Sequence, residues 1–297
     1  MREIIQLSHV TKDYGGGRGV FDVSFSVGEG EVFGYLGPNG AGKTTTIRQL
    51  MGFLHSDVGV CQILGKNCFA QAGEIEWELG YLAGELAFLD DMTGIRYLEF
   101  IAQMKRVKDL ARMRALMERF ELNPKGKIGR MSKGMKQKIG LVAAFMADPK
   151  VVILDEPTSG LDPLMQNRFV ELILEEKKKG TTILMSSHIF EEVEKTCDRT
   201  AIIRAGKIVG IEDMDSLAGK RKKVYVITFA DEAAAERLAA DPGVEARARH
   251  GNRVELIVRG NPKEALLKIA AADPLDLDVR TQNLEDLFMH YYGEEAR

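Results

Sequence analysis

A glycine-rich segment, GPNGAGKTT at residues 37–45, constrains the fold of this 297-residue chain more than any other feature. It follows a short apolar stretch, residues 31–36, that is typical of a strand. It precedes TIRQLMGFL, whose apolar residues recur at helical spacing. The spacing G-x-x-x-x-G-K-T between a strand and a helix predicts a phosphate-binding loop, and a chance glycine-rich turn is the alternative.

The residue types in this loop suit the chemistry of a bound polyphosphate. Gly37, Gly40 and Gly42 let successive backbone N–H groups approach phosphate oxygens without interference from a Cβ. Lys43 is predicted to neutralise the β and γ oxygens, and Thr44 to coordinate Mg²⁺. The candidate nucleotide-binding residues of the loop are Gly37, Pro38, Asn39, Gly40, Ala41, Gly42, Lys43, Thr44 and Thr45.

Two adjacent carboxylates follow a second apolar strand in VVILDEP, residues 151–157. Ligands of parallel sheets bind at the carboxyl ends of the strands, which is where Asp155 and Glu156 would lie. Asp155 is predicted to hold magnesium through water, and Glu156 to polarise the attacking water. An acidic cap on a buried strand is the alternative, and the phosphate loop makes it the less favoured one.

A histidine ends a third apolar stretch, TTILMSSH at residues 181–188. His188 could there reach a γ-phosphate and an attacking water. Taken alone, a histidine at a strand end is more often a solvated surface group.

The segment MSKGMKQKI, residues 131–139, has the pattern of an exposed helix start. In one interpretation Ser132 is an ordinary N-cap, and Met135, Ile139 and Met146 continue a buried helical face. In the other, the helix N-terminus awaits an anion, with Gly134 allowing close backbone approach. These residues alone do not decide between the two.

The order of these motifs, namely phosphate loop, SKGMKQ, LDEPTSGLD and SSH, resembles that of the ATP-binding cassette (ABC) proteins over residues 4 to about 215. The resemblance implies ATP and Mg²⁺ as ligands and hydrolysis of ATP to ADP and phosphate. Tyr14 stands where the family places an aromatic ring against adenine, although it could be a routine surface tyrosine. MSKGM keeps the serine and glycine of the family signature but has Met131, Lys133 and Met135 where leucine, glycine and glutamine are usual.

The family resemblance also implies that two chains pair head to tail. Each ATP would lie between Lys43 of one chain and Ser132, Gly134 and Met135 of the other. The loop SGLD, which ends at Asp162, resembles the family loop that crosses this dimer interface. Under this interpretation the helix start at Ser132 serves the nucleotide of the partner chain.

One departure from the family pattern occurs in LGYLAGELAFL, where a glutamine that contacts magnesium is usual and this chain has Gly84. Either the next residue, Glu85, or water is expected to complete the metal shell. Glu85 could equally be a surface carboxylate. Three segments most resemble the exporter branch of this family, namely GYLxGE, SKGMKQK and the tail TQNLEDLFMHYYGEE. In that branch a separate polypeptide crosses the membrane.

The whole pattern predicts an α/β P-loop NTPase cassette at residues 1–218, with a parallel-sheet core, an antiparallel β part and a helical insert at about 85–147. The basic stretch GKRKK, residues 219–223, marks a boundary. Beyond it, residues 219–297 predict a small α+β domain of order βαββαβ, which is ferredoxin-like, with a terminal helix in NLEDLFMHYY. Ligand sensing and dimerisation or docking are the alternative roles of this domain.

The composition of the chain limits the classes of partner that it is expected to bind. The net charge of −3 gives no global basic field, so nucleic acid is not expected as a partner. The apolar stretches are too short for a membrane span, and three cysteines without CxxC spacing favour free thiols. We expect a cytoplasmic ATPase, peripheral on the inner face of the membrane beneath a separate permease. The alternative is a soluble cassette protein that acts on nucleic acid or ribosomes, although the chain has one cassette and only a short insert.

Overall fold

The computed structural model describes residues 2–220, 223–241, 244–258 and 263–281. The chain divides into two compact units, Met1–Met214 and Asp215–Arg297. The sequence predicts the boundary between residues 218 and 219. This position is four residues beyond the boundary in the structure and lies inside a helix at Met214–Lys220.

Ten strands and seven helices of the first unit can be assigned among the described residues. The strands are β1 Glu3–Asp13, β2 Gly19–Gly28, β3 Val32–Leu36, β4 Val58–Ile63, β5 Lys66–Asn67, β6 Leu79–Leu82, β7 Val151–Asp155, β8 Thr182–Ser187, β9 Arg199–Arg204 and β10 Lys207–Asp213. The helices are α1 Lys43–Leu50, α2 Ala72–Ile75, α3 Gly94–Met104, α4 Ala111–Arg119, α5 Lys133–Phe145, α6 Pro163–Lys178 and α7 Phe190–Thr196, and α8 Met214–Lys220 follows at the boundary.

A six-stranded sheet of order β10-β9-β3-β8-β7-β6 forms the core of the first unit. All neighbouring pairs are parallel except β9 and β10. Every residue of β3, β7 and β8 is buried, as expected for parallel strands that are covered on both faces. The carboxyl ends of these three adjacent strands therefore meet at one edge of the sheet.

A second sheet, of order β2-β1-β4-β5, is antiparallel. Phe25 of β2 stacks on Phe33 of β3 with ring centroids 5.1 Å apart, so the two sheets share one apolar core. The predicted antiparallel part of the cassette is therefore present.

The predicted helical insert contains α3, α4 and α5. Helix α5 packs against both of the others and against β6. Ion pairs also join α4 to α6. Arg112 contacts the buried carboxylate of Glu176 at 2.8 Å, and Arg119 contacts the half-exposed Glu175 at 2.6 Å.

The second unit consists of β11 Lys223–Thr228, α9 Glu232–Ala239, β12 Glu245–His250, β13 Arg253–Val258, α10 Lys263–Ala271 and β14 Asp276–Thr281. Its antiparallel sheet has the order β12-β13-β11-β14, and both helices pack on the face that carries Tyr225 and Ile227. This is the βαββαβ order that the sequence predicts. The predicted terminal helix, NLEDLFMHYY, lies outside the described residues.

Two details differ from the sequence interpretation. The apolar pattern of RTAIIRAGKIV, residues 199–209, predicts a single strand, but the segment forms the antiparallel hairpin of β9 and β10 because Ala205 and Gly206 adopt positive φ and turn the chain. The short strands β4, β5 and β6 were not predicted from the sequence. Across the described residues no helix is long and apolar enough to span a membrane.

The contacts of Arg112 predict a measurable difference between two ion pairs of similar length. Arg112→Met removes the guanidinium from Glu176, whose side chain is only 2% exposed, and also from Phe145 O and Asp148. Glu176 keeps Lys179 at 2.8 Å and Thr181 Oγ1 at 3.4 Å. We expect a loss of about 1–3 kcal/mol in the free energy of unfolding. Arg119→Met removes a pair with the half-exposed Glu175 and should cost about 0.2–1 kcal/mol. Urea denaturation compares the variants, and equal losses would contradict the assignment.

Candidate functional site

The glycine-rich loop connects β3 to α1 at the carboxyl edge of the parallel sheet. Gly42 is the N-cap of α1, with φ of 111°, a conformation that a residue with a side chain rarely adopts. No side chain caps this helix start. The backbone N–H groups of the first turn are therefore directed at the space in front of the loop, where an anion would be stabilised.

Lys43 is folded back over the loop and buried. Its Nζ donates to the carbonyl oxygens of Gly37 at 2.6 Å and Pro38 at 3.2 Å. The same Nζ lies 3.1 Å from Glu156 Oε1. The loop lysine is thus paired with the predicted catalytic carboxylate.

Asp155, the last residue of β7, is fully buried and fully hydrogen bonded. Thr44 Oγ1 donates to Asp155 Oδ2 at 2.8 Å, and Ser186 Oγ donates to Asp155 Oδ1 at 2.5 Å. The structure therefore brings together Thr44 and Asp155, two of the three predicted metal ligands. Hydroxyl and carboxylate oxygens are donors that suit Mg²⁺.

Glu156 and His188 meet at the ends of the adjacent strands β7 and β8. His188 Nδ1 lies 2.5 Å from Glu156 Oε2. Glu156 has φ of 53°, an uncommon conformation for a residue with a side chain, and its N–H is hydrogen bonded to Ser186 O at 3.2 Å. This backbone conformation places the Glu156 carboxylate between Lys43 and His188.

A cavity of about 360 Å³ opens in front of these groups. That volume lies within the range of small-molecule sites. Its lining residues are Tyr14, Gly17, Arg18, Gly19, Asn39, Gly40, Gly42, Lys43, Thr44, Thr45, Glu156, Ala205 and Gly206. Gly37, Pro38 and Ala41 do not line it but shape the loop, in which Ala41 N–H donates to Pro38 O at 3.2 Å.

The segment around Ser132 lies elsewhere. Ser132 is exposed and caps α5, accepting from Met135 N–H at 3.2 Å. A Cβ at Gly134 would lie 2.6 Å from Gly160 O, so the start of α5 and the loop after Glu156 touch through their backbones. Lys133 Nζ donates to Ser159 Oγ at 2.7 Å. Ser132, Gly134 and Met135 do not line the cavity that contains Lys43.

Asp162 is likewise outside that cavity and caps α6, accepting from Met165 N–H at 3.1 Å. Glu85 is exposed and does not line the cavity either. Gly84 is the residue close to the metal ligands, because a Cβ there would lie 3.0 Å from Asp155 Oδ2.

Sequence reasoning missed two buried polar side chains beside the site. Gln137 of α5 donates to Glu156 O at 3.2 Å and Pro157 O at 2.8 Å. Glu192 of α7 accepts from Ser187 Oγ at 2.8 Å and Thr158 Oγ1 at 3.3 Å. The available signal was the alternation of polar and apolar residues along each helix, which does not reveal that a polar residue is buried.

Burial raises the pKa of Glu192 to about 7, and the nearby Glu156 carboxylate adds to the effect. The hydrogen bonds from Ser187 and Thr158 act in the opposite direction and do not offset burial. Glu192 is therefore the buried carboxyl at this site whose ionisation falls near neutral pH.

Comparisons with known proteins agree with these features. A family model described as ABC transporter matches residues 20–159. The chain is 31% identical over 305 residues to the Nod factor export ATP-binding protein I of Rhizobium leguminosarum bv. viciae, covering 98% of this chain and 95% of that protein. It is 34% identical over 235 residues to the bacitracin transport ATP-binding protein BcrA of Bacillus licheniformis, covering 78% and 77% respectively.

Solved structures show the same fold. An ATP binding subunit of an ABC transporter has a TM-score of 0.67 at 29% identity, covering 72% of this chain and 91% of that one. The dimeric MJ0796, a bacterial ABC transporter cassette, has a TM-score of 0.65 at 20% identity, covering 71% and 99% respectively.

The raised pKa of Glu192 predicts how stability depends on pH. In the unfolded chain this carboxyl ionises near 4.5, whereas in the folded chain it holds its proton to about 7. The stability that it contributes is present below pH 4.5 and is lost as the pH rises to 7. Because Glu192→Gln cannot ionise, its melting temperature should fall less than that of the wild type between about pH 5 and 8.

The matched control is Glu191→Gln, which changes an exposed carboxylate whose pKa is lowered by its hydrogen bond from Lys195. This variant should lose as much as the wild type over the same pH interval. Scanning calorimetry measures all three proteins, and an identical fall in Glu192→Gln and wild type would contradict the prediction.

Proposed function

Because this chain belongs to the family of ABC transporter ATP-binding proteins and is an ATPase, we propose that it powers export through a separate transmembrane partner. The observation that carries the proposal is the contact of Glu156 with both Lys43 and His188, beside a cavity of about 360 Å³ that Lys43 and Glu156 line. The relative named for Nod factor export supports the direction of transport, and the relative named for bacitracin transport supports a role in transport. We place the protein in the cytoplasm, peripheral on the inner face of the cell membrane.

The loop Gly37–Thr45 would bind the phosphates of ATP in front of the uncapped start of α1, and Tyr14, half exposed at the cavity, would stack on adenine. The γ-phosphate would compete with Glu156 for the charge of Lys43, since both are anions. ATP binding would thereby release one oxygen of Glu156 to orient and deprotonate the attacking water. His188, 2.5 Å from the other oxygen, would hold the carboxylate in place and reach the γ-phosphate.

The residues present fit a magnesium ion. Thr44 and Asp155 supply two hard oxygens that are 2.8 Å apart, and phosphate and water would supply the rest. Such an ion would neutralise charge on the transferred phosphoryl group. Among the described residues no three carboxylate, histidine or cysteine side chains group as a metal cage.

Glu85 as a further metal ligand stays a prediction. It is exposed, one residue beyond Gly84, and its carboxylate would have to turn toward Asp155 when ATP binds. A magnesium titration of the ATPase decides it, because an unchanged half-saturating concentration in Glu85→Ala would assign the position to water.

We propose that ATP closes a head-to-tail homodimer. Support comes from the exposed N-cap Ser132, which lies outside the cavity containing Lys43 and is therefore free to face the ATP of a second chain. Gly134 and Met135 would complete that contact through the backbone of the first helical turn. Asp162 follows Gly160, which touches the same helix start, so its loop would lie at the interface.

The proposed contact with the membrane partner is an apolar surface of Phe53, Phe69, Trp77 and Met104, each more than half exposed. Arg106, at the end of α3, lies over the Trp77 ring at 4.6 Å. Lys105 Nζ donates to Leu79 O at 3.1 Å, so this end of α3 lies beside the chain around Trp77. Large exposed aromatic groups of this kind mark interaction sites.

Removing the base is expected to trap the dimer. Glu156→Gln should bind ATP normally but hydrolyse it on the order of a hundredfold more slowly, because the positioned base is lost. ATP-bound dimers should then accumulate in gel filtration. Adding Ser132→Arg should abolish this dimer without loss of ATP binding, because the new side chain fills the phosphate seat.

Phosphate release, nucleotide binding and mass in solution are measured on the same samples. Normal turnover in Glu156→Gln would remove Glu156 from the role of base. A stable dimer in the Ser132→Arg, Glu156→Gln double variant would exclude the proposed sandwich.

The export role is tested by purifying the tagged chain from detergent-solubilised membranes of its host and identifying any multi-span membrane protein that is retained with it. The wild type should retain this protein in detergent, and Trp77→Asp should reduce its recovery on the order of tenfold, because an interface anchor is lost. The ATPase activity of the isolated chain should not change. Leu267→Asp, at a position in the second unit that is 62% exposed compared with 51% for Trp77, is the control and should retain the partner. Failure of the wild type to retain a membrane protein would count against the proposal.

A further inference from the structure

Glu192 occupies an unusual position relative to the two strand ends of the site. It lies in the first turn of α7, just after His188, and its side chain is buried. A single oxygen, Oε2, accepts from Ser187 Oγ at 2.8 Å and Thr158 Oγ1 at 3.3 Å. Ser187 immediately precedes His188, and Thr158 follows Glu156 by two residues. One carboxyl group therefore ties the two segments that carry Glu156 and His188.

The regular ladder between β7 and β8 ends before these two residues, and its last link is the hydrogen bond from Glu156 N–H to Ser186 O at 3.2 Å. The parallel pairing of β7 and β8 ends at Asp155 and Ser186, before either side chain is reached. Glu156 then leaves the extended conformation, with φ of 53°. Beyond that point, the bridge through Glu192 connects the two segments.

The other oxygen of Glu192, Oε1, is buried and has no hydrogen-bond partner among the described residues. An apolar side chain of similar size would avoid that desolvation cost. Burial of this carboxyl group costs free energy. Its presence is therefore better explained by the two hydroxyl groups from which it accepts hydrogen bonds than by packing.

We propose that Glu192 is a positioning residue for ATP hydrolysis, which fixes Glu156 relative to His188 by accepting from Thr158 and Ser187. The inference rests on the proposed roles of Glu156 and His188. It predicts that the hydrogen-bond acceptor matters and that the negative charge does not.

The experiment compares Glu192→Leu with Glu192→Gln. Leucine fills the space but accepts no hydrogen bond, so kcat should fall on the order of tenfold or more through misplacement of the base. KM for ATP should stay within about twofold, because none of the residues lining the cavity is changed. Glutamine keeps an oxygen in place of Oε2 and should restore kcat to near the wild-type value.

Thr158→Val tests the same bridge from the donor side and remains informative if Glu192→Leu does not fold. It should lower kcat in the same direction, with KM retained. A wild-type kcat in folded Glu192→Leu, or in Thr158→Val if the leucine variant does not fold, would overturn the inference. Equal losses of kcat in the leucine and glutamine variants would also overturn it. The negative charge of Glu192, and not its ability to accept hydrogen bonds, would then be what matters.

The Glu156→Gln variant, assayed in parallel, separates this inference from the proposed function. If Glu156→Gln turns over ATP normally, the proposed catalytic roles fail and the positioning argument falls with them. If Glu156→Gln is inactive and Glu192→Leu is unimpaired, the inference about Glu192 alone is wrong.

Discussion

The parallel alignment of β3, β8 and β7 is the constraint on which the rest of the first unit depends. Because the three strands are neighbours and run the same way, their carboxyl ends deliver the glycine loop, His188 and the Asp155–Glu156 pair to one edge. The resulting chain of contacts runs from Lys43 through Glu156 to His188, with distances of 3.1 and 2.5 Å. Side chains that are far apart in sequence are thereby brought into contact.

Features that are determined by residues close together in the sequence could be predicted, whereas features that depend on distant residues could not. The glycine loop and the two strand-end carboxylates could be predicted because each is a local pattern whose geometry its own residues determine. The hairpin at Ala205–Gly206 was missed because the turn is short and apolar residues lie on both sides of it. Gln137 and Glu192 were missed because their importance arises from neighbours on other elements. Ion pairs between α4 and α6 likewise depend on packing that no single segment encodes.

The structure gives a steric reason for glycine at position 84, where related proteins usually have glutamine. Its Cα faces the Asp155 carboxylate so closely that an added Cβ would lie 3.0 Å from Oδ2. Contacts of this length are tighter than most that a Cβ makes, so a larger residue would require the strand end or the loop to move. Because residue 84 is a glycine, its backbone can lie close to Asp155, whose carboxylate is also contacted by Thr44 and Ser186.

The close approach of Gly134 to Gly160 affects how mutational data on this protein should be interpreted. Any side chain at position 134 would displace the Gly160 carbonyl, since the separation would be only 2.6 Å. That carbonyl belongs to the loop that follows Glu156, so the disturbance would reach the catalytic edge of the same chain. An inactive Gly134 variant would consequently be ambiguous, because a disturbed loop after Glu156 in the same chain would accompany any effect on the nucleotide contact that we propose with a second chain. Changes at Ser132, which is exposed, separate the two effects.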